Sequence, residues 1–191
     1  MEALAVSIAT VAVGELGDKT QLLALILATR LRKPVPIILG IFAATLLNHV
    51  IACVVGEWVG ALLSPEALRR VLGVSFLAIA AWALVPDKAE EQIEDRSHYG
   101  VFVLTAVAFF LAEMGDKTQI LALTLAAKYR DLVAVVTGTT LGMMLVNVPT
   151  VLLAERATSW IPIRWIRVGA ALVYALLGVA TLAGWSPGAA M

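Results

Sequence analysis

The stretch Glu15-Leu16-Gly17-Asp18-Lys19-Thr20-Gln21-Leu22-Leu23-Ala24-Leu25 returns as Glu113-Met114-Gly115-Asp116-Lys117-Thr118-Gln119-Ile120-Leu121-Ala122-Leu123, with nine of eleven positions identical at an offset of 98 residues. Both copies lie in the middle of long apolar runs, where three ionisable residues each would cost on the order of 8 kcal/mol to place at a bilayer centre. Apolar neighbours offset only part of that cost. Charge at such a depth is a functional-site hypothesis by default, and its duplication makes the chain an internal repeat.

Working outward, the runs number six: about 3–29, 35–56, 68–85, 100–127, 132–154 and 163–185, most of them ended by proline or glycine. Composition agrees. Of 191 residues 61% are apolar and 15% charged, and the mean hydropathy is +0.92, where soluble domains run about 45–50% apolar and about 25% charged. At about 20 residues per span, six spans leave about 70 residues for ends and loops, too few for a soluble catalytic domain. The expected fold is all-α: a polytopic membrane protein in one domain, 1–191, with six transmembrane helices. Repeats of about 1–86 and 99–191 are joined by an acidic loop, 87–98. Three spans per half turn the second copy upside down, and inverted repeats of this kind build secondary transporters with a midplane site.

Lys and Arg orient the chain. One side would hold Arg30, Arg32, Lys33, Lys88, Arg96, Arg156, Arg164 and Arg167, the other only Arg69, Arg70, Lys128 and Arg130. The richer side should be cytoplasmic, which places both termini outside and the central loop inside. Trp58, Trp82, Trp160, Trp165 and Trp185 fall near expected span ends, as interfacial aromatics do. The loop itself reads as a solvated linker. Met1 to Thr10 contains no Lys or Arg, so no secretory signal is expected. Lys+Arg and Asp+Glu both count 14, and a net charge near zero predicts no nucleic-acid partner. The lone Cys53 excludes an internal disulfide and a multi-cysteine zinc site; it reads as a small buried apolar residue.

In an unbroken helix Glu15 and Asp18 share a face about 4.5 Å apart along the axis, and Gln21 continues the stripe. Glu113, Asp116 and Gln119 repeat it. Brought together, four carboxylates and two amides make an oxygen shell for a hard divalent cation such as Ca²⁺ or Mn²⁺. Gly17 and Gly115, with Gly14, would let backbones pack closely or let the helix loosen. Lys19 and Lys117 stand four residues after their own glutamates, so an i,i+4 pair is the bland reading; shielding or anchoring a carboxylate is the functional one. Thr20 and Thr118 are supporting candidates, as ligands or as hydrogen bonds between helices. Carboxylates crowded in a low dielectric are expected to trade a cation for protons.

The paired Glu-x-Gly-Asp-Lys-Thr motifs, one in each half of a small six-span chain, resemble the Gdt-type calcium/manganese:proton exchangers, also called uncharacterised protein family 0016, which include bacterial manganese exporters. The resemblance covers nearly the whole chain, acidic loop included. It implies cation binding by Glu15, Asp18, Glu113 and Asp116, and export of a divalent cation, Mn²⁺ ahead of Ca²⁺, in exchange for protons. For so small a chain a bacterial inner membrane is the expected location, with no cofactor beyond the transported metal. A homo-oligomer is compatible with the sequence.

Other readings are weaker. Gly14 to Thr20 lacks the glycine spacing of a phosphate-binding loop. Asn48, His49 and Asn147 sit within spans; a lone intramembrane histidine reads first as a hydrogen-bonded structural residue, then as a proton relay or gate. Met114 could supply a soft ligand, but its phase favours core packing. A passive channel would use the same acidic groups without coupling, and a structural clamp would leave the buried charges idle. An enzyme is not expected, because His-Glu-x-x-His, Gly-x-Ser-x-Gly and a second catalytic cluster are missing.

Overall fold

The structure, a computed structural model, describes residues 1–84, 100–154 and 163–184. Among them are eight helices and no strand: α1 (Glu2–Glu15), α2 (Lys19–Leu31), α3 (Pro34–Leu62), α4 (Pro65–Ala83), α5 (Val101–Glu113), α6 (Lys117–Tyr129), α7 (Leu132–Leu152) and α8 (Ile163–Leu182). The expected loop 87–98, Trp160 and Trp185 lie outside the described residues.

The first and fourth apolar runs are not the single helices the sequence predicts. Each is broken at its motif, giving α1–α2 and α5–α6. α3 also runs past its expected end to Leu62, because Gly56 and Gly60 keep that stretch against α6; a Cβ at either would strike the backbone of Leu123 or Ala127. Pro34 and Pro65 each open a helix, where a missing N–H costs nothing. Ser64 caps α4 by accepting the Ala67 N–H at 3.3 Å.

Two of the described helices, α3 and α7, are by themselves long and apolar enough to cross a bilayer. Their side chains are arranged with polar groups inward. α3 buries Thr45, Asn48 and His49 while exposing Leu39, Leu47, Val50, Ile51 and Val54. α7 buries Thr139, Thr140 and Asn147 while exposing Leu141 and Leu145. Water would drive the opposite arrangement; hydrocarbon outside and polar contacts inside satisfy this one.

Small residues set the contacts. α7 packs on α1 through Gly138 and Gly142, and α3 packs on α5 through Gly40; a Cβ at any of the three would lie within 2.8 Å of a carbonyl oxygen on the facing helix. α4 and α8 meet at Gly73 and Gly178. Such residues let helices approach where packing, not the hydrophobic effect, drives association. The apolar core lies in two clusters, one around Val11, Cys53, Phe76, Leu121 and Met143, the other around Leu27, Ile37, Ile41 and Phe109. Cys53 is fully buried there, as a small apolar residue would be.

Candidate functional site

The two motifs adopt one backbone conformation. Leu16 and Met114 have φ/ψ of −62/118° and −61/122°, Gly17 and Gly115 have φ of 75° and 72°, and Asp18 and Asp116 have −83/167° and −80/165°. The Asp18 N–H donates to the Glu15 carbonyl at 3.1 Å, and Asp116 to Glu113 at 3.1 Å. These are the angles and the hydrogen bond of a type II turn, whose third residue needs a positive φ and therefore glycine. The motif's glycine is a turn residue.

Each turn has its own brace. Gln21 Oε1 accepts the Gly17 N–H at 2.7 Å, and Gln119 Oε1 accepts the Gly115 N–H at 2.7 Å. Gln21 Nε2 goes on to donate to Thr150 Oγ1 at 3.1 Å. The glutamine oxygens expected to face a cation thus hold the turn in this structure. The expected stripe Glu15-Asp18-Gln21 on one helical face is absent, because the helix stops between its first two members.

The breaks give the two acids of each motif different surroundings. Glu15 ends α1 and Glu113 ends α5, at the negative end of each helix dipole, while Asp18 and Asp116 stand at the start of α2 and α6, at the positive end. All four are at most 1% exposed. The glutamates need donors, and helices α2, α3 and α7 supply them. Glu15 Oε1 accepts from Asn147 Nδ2 at 3.1 Å and from Thr20 Oγ1. Glu113 Oε2 accepts from Thr45 Oγ1 at 3.4 Å and Asn48 Nδ2 at 3.5 Å, and His49 Nε2 lies 3.5 Å from Glu113 Oε1.

The aspartates are paired across the copies. Lys117 Nζ lies 2.5 Å from Asp18 Oδ1, and Lys19 Nζ lies 3.3 Å from Asp116 Oδ1. The break brings each lysine to the aspartate of the other turn. The pairs are unequal, because the Lys117 side chain is 4% exposed and that of Lys19 is 29% exposed. Thr118, unlike Thr20, serves the aspartate, donating to Asp116 Oδ2 at 3.2 Å.

The structure therefore brings both motifs to one place without closing a cage. Among the described residues no three His, Cys, Asp or Glu side chains converge as metal ligands. Several buried acceptors nevertheless find no hydrogen-bond donor there: Glu15 Oε2, Glu113 Oε1, Asn48 Oδ1 and Asn147 Oδ1. Met114 is exposed and offers no sulfur to the site. Sequence reasoning missed Thr45 and Tyr174. Thr45 precedes Asn48 and His49 at helical spacing, which marks the three as one face. Tyr174, buried on α8, donates to the Thr10 carbonyl at 2.6 Å and packs on Gly14, one residue before Glu15; no local signal announces it.

The family model described as "Divalent cation/proton antiporter GDT1" matches residues 3–91 and 101–188. The chain belongs to this family. GDT1 proteins are transporters rather than enzymes, and the chain is accordingly an integral membrane protein. A Vibrio cholerae protein named "Putative manganese exporter" is 51% identical over 184 residues, covering 95% of this chain and 90% of the relative. "GDT1-like protein 3" of Oryza sativa, from both subspecies indica and japonica, is 26% identical over 167 residues, covering 74% of this chain and 59% of the plant protein. No solved structure matches the chain significantly.

Proposed function

We propose that this GDT1 protein exports Mn²⁺, in preference to Ca²⁺, across a bacterial inner membrane in exchange for protons, at a site built from Glu15, Asp18, Glu113 and Asp116. The observation that carries the reading is the exchange of lysines between the two breaks, Lys19 to Asp116 and Lys117 to Asp18. It ties two buried acidic turns into one unit. Four carboxylates and two lysines leave a formal charge of −2, which one divalent cation or two protons would balance. The lysines then act as tethered counter-ions that hold the aspartates until a cation displaces them. Gln21 and Gln119 keep the turns in shape, and Thr20 and Thr118 hold carboxylates in line.

In this reading α1–α4 and α5–α8 are two inverted repeats that cross the membrane six times. Both termini lie outside and the loop 87–98 is cytoplasmic. Broken helices meeting at a midplane site are the recurring device of secondary transporters. The metal preference follows the name of the Vibrio cholerae relative, "Putative manganese exporter".

The test is flux in proteoliposomes loaded with a Mn²⁺ indicator. Mn²⁺ should enter vesicles with an acidic lumen and stop when the pH gradient is collapsed. Mn²⁺ movement that ignores the pH gradient and follows voltage would replace the exchanger with a channel. Faster movement of Ca²⁺ than of Mn²⁺ would reverse the metal preference.

A further inference from the structure

At the repeat offset of 98 residues, His49 on α3 stands where α7 carries Asn147. The two are used differently. Asn147 Nδ2 is engaged with Glu15 at 3.1 Å and with the Met143 carbonyl at 3.2 Å. His49 is fully buried, yet neither Nδ1 nor Nε2 has a hydrogen-bond partner among the described residues. A structural histidine normally satisfies both nitrogens. Here Nε2 points at Glu113 Oε1, 3.5 Å away, and that oxygen has no hydrogen-bond donor either. Asn48 Oδ1, on the same helix face, is a third buried acceptor without a donor.

We infer that His49 is a nitrogen ligand of the transported cation on the Glu113 side, and the residue that turns an all-oxygen site toward Mn²⁺ and away from Ca²⁺. This rests on the reading of Glu113 as a cation ligand. Ca²⁺ takes oxygen ligands almost exclusively, whereas transition metals gain from imidazole, and carboxylate–histidine sets hold manganese in helical bundles. The second half offers only an amide at the matching place, so the two halves of the site are chemically unequal. An imidazole beside a carboxylate can enter such a shell through Nε2 with its ring already fixed by burial.

The probe is Mn²⁺ bound to the purified full-length protein in nanodiscs, read by pulsed electron paramagnetic resonance for nitrogen coupling. Affinities for Mn²⁺ and Ca²⁺ are measured alongside at one fixed pH. Wild-type protein should show the modulation of a directly bound imidazole nitrogen. His49→Asn, which copies the amide of the other half, should lose that modulation and lower the Mn²⁺:Ca²⁺ affinity ratio about 10-fold or more; His49→Gln should do the same. His98 remains in both variants, so a nitrogen signal that survives them overturns the inference. Bound Mn²⁺ without nitrogen coupling in the wild type also overturns it, with no need for a variant to fold. An equal fall in both affinities would make His49 a positioning residue and overturn the selectivity role. Wild-type protein that binds neither metal would sink the proposed function itself, and this inference with it.

Discussion

Replacing Lys117 by methionine should destabilise the protein much more than replacing Lys19. Lys117 Nζ is 2.5 Å from Asp18 Oδ1, and both side chains are at most 4% exposed. At an effective dielectric of about 20 that separation is worth about 7 kcal/mol of direct attraction, largely offset by the desolvation of both ions. Removing one partner forfeits the attraction while the buried carboxylate keeps its desolvation cost, so the loss should be about 3–5 kcal/mol. Lys19 stands 3.3 Å from Asp116 with its side chain 29% exposed, and Asp116 retains the Thr118 hydroxyl. Water screens that pair, and Lys19→Met should cost about 1–2 kcal/mol. Thermal unfolding in detergent reads the difference: at about 2–4 °C per kcal/mol for a chain of this size, Lys117→Met should melt about 6–20 °C below wild type and Lys19→Met about 2–8 °C. The double variant Asp18→Asn/Lys117→Met, neutral on both sides, should recover more than half of the loss. Equal shifts for the two lysines, or strict additivity in the Asp18–Lys117 cycle, would refute the pairing across the breaks.

Gly115→Ala adds a methyl that meets none of the described residues within 4 Å but must adopt φ of +72°, so it should lower stability by about 1–2 kcal/mol through backbone strain, measured by the same melts. Gly56→Ala drives a Cβ into the Leu123 carbonyl and should cost about 1–3 kcal/mol by forcing α3 from α6. Tyr174→Phe removes the hydroxyl that donates to the Thr10 carbonyl at 2.6 Å and should cost about 1–3 kcal/mol; flux retained in that variant would separate its structural part from the site.

The repeated motif was readable because it violates its surroundings: Glu, Asp and Lys twice at matching depth in apolar runs, 98 residues apart. The same runs hid the helix breaks. Hydropathy averages straight through Leu16-Gly17-Asp18, and Gly17 is as compatible with tight helix packing as with a type II turn until its φ is known. Lysine partners were hidden for a related reason. Lys19 can satisfy its charge on Glu15 within a helix or on Asp116 across the fold, and only the break decides. Asn48, His49 and Asn147 were visible as polar residues in apolar helices, but their assignment to Glu113 and Glu15 depends on α3 packing against α5 and α7 against α1. Tyr174 comes from α8, 164 residues from its partner Thr10, and ordinary core packing would present the same sequence.

The most direct test of the acidic site is the count and affinity of Mn²⁺ on the purified protein and on Glu15→Gln, Asp18→Asn, Glu113→Gln and Asp116→Asn, each checked for folding. One Mn²⁺ per chain, weakened at least about 10-fold in all four variants, is the expected result. Mn²⁺ bound at wild-type affinity by folded Asp18→Asn and Glu113→Gln proteins would contradict it and leave the paired breaks a structural clamp.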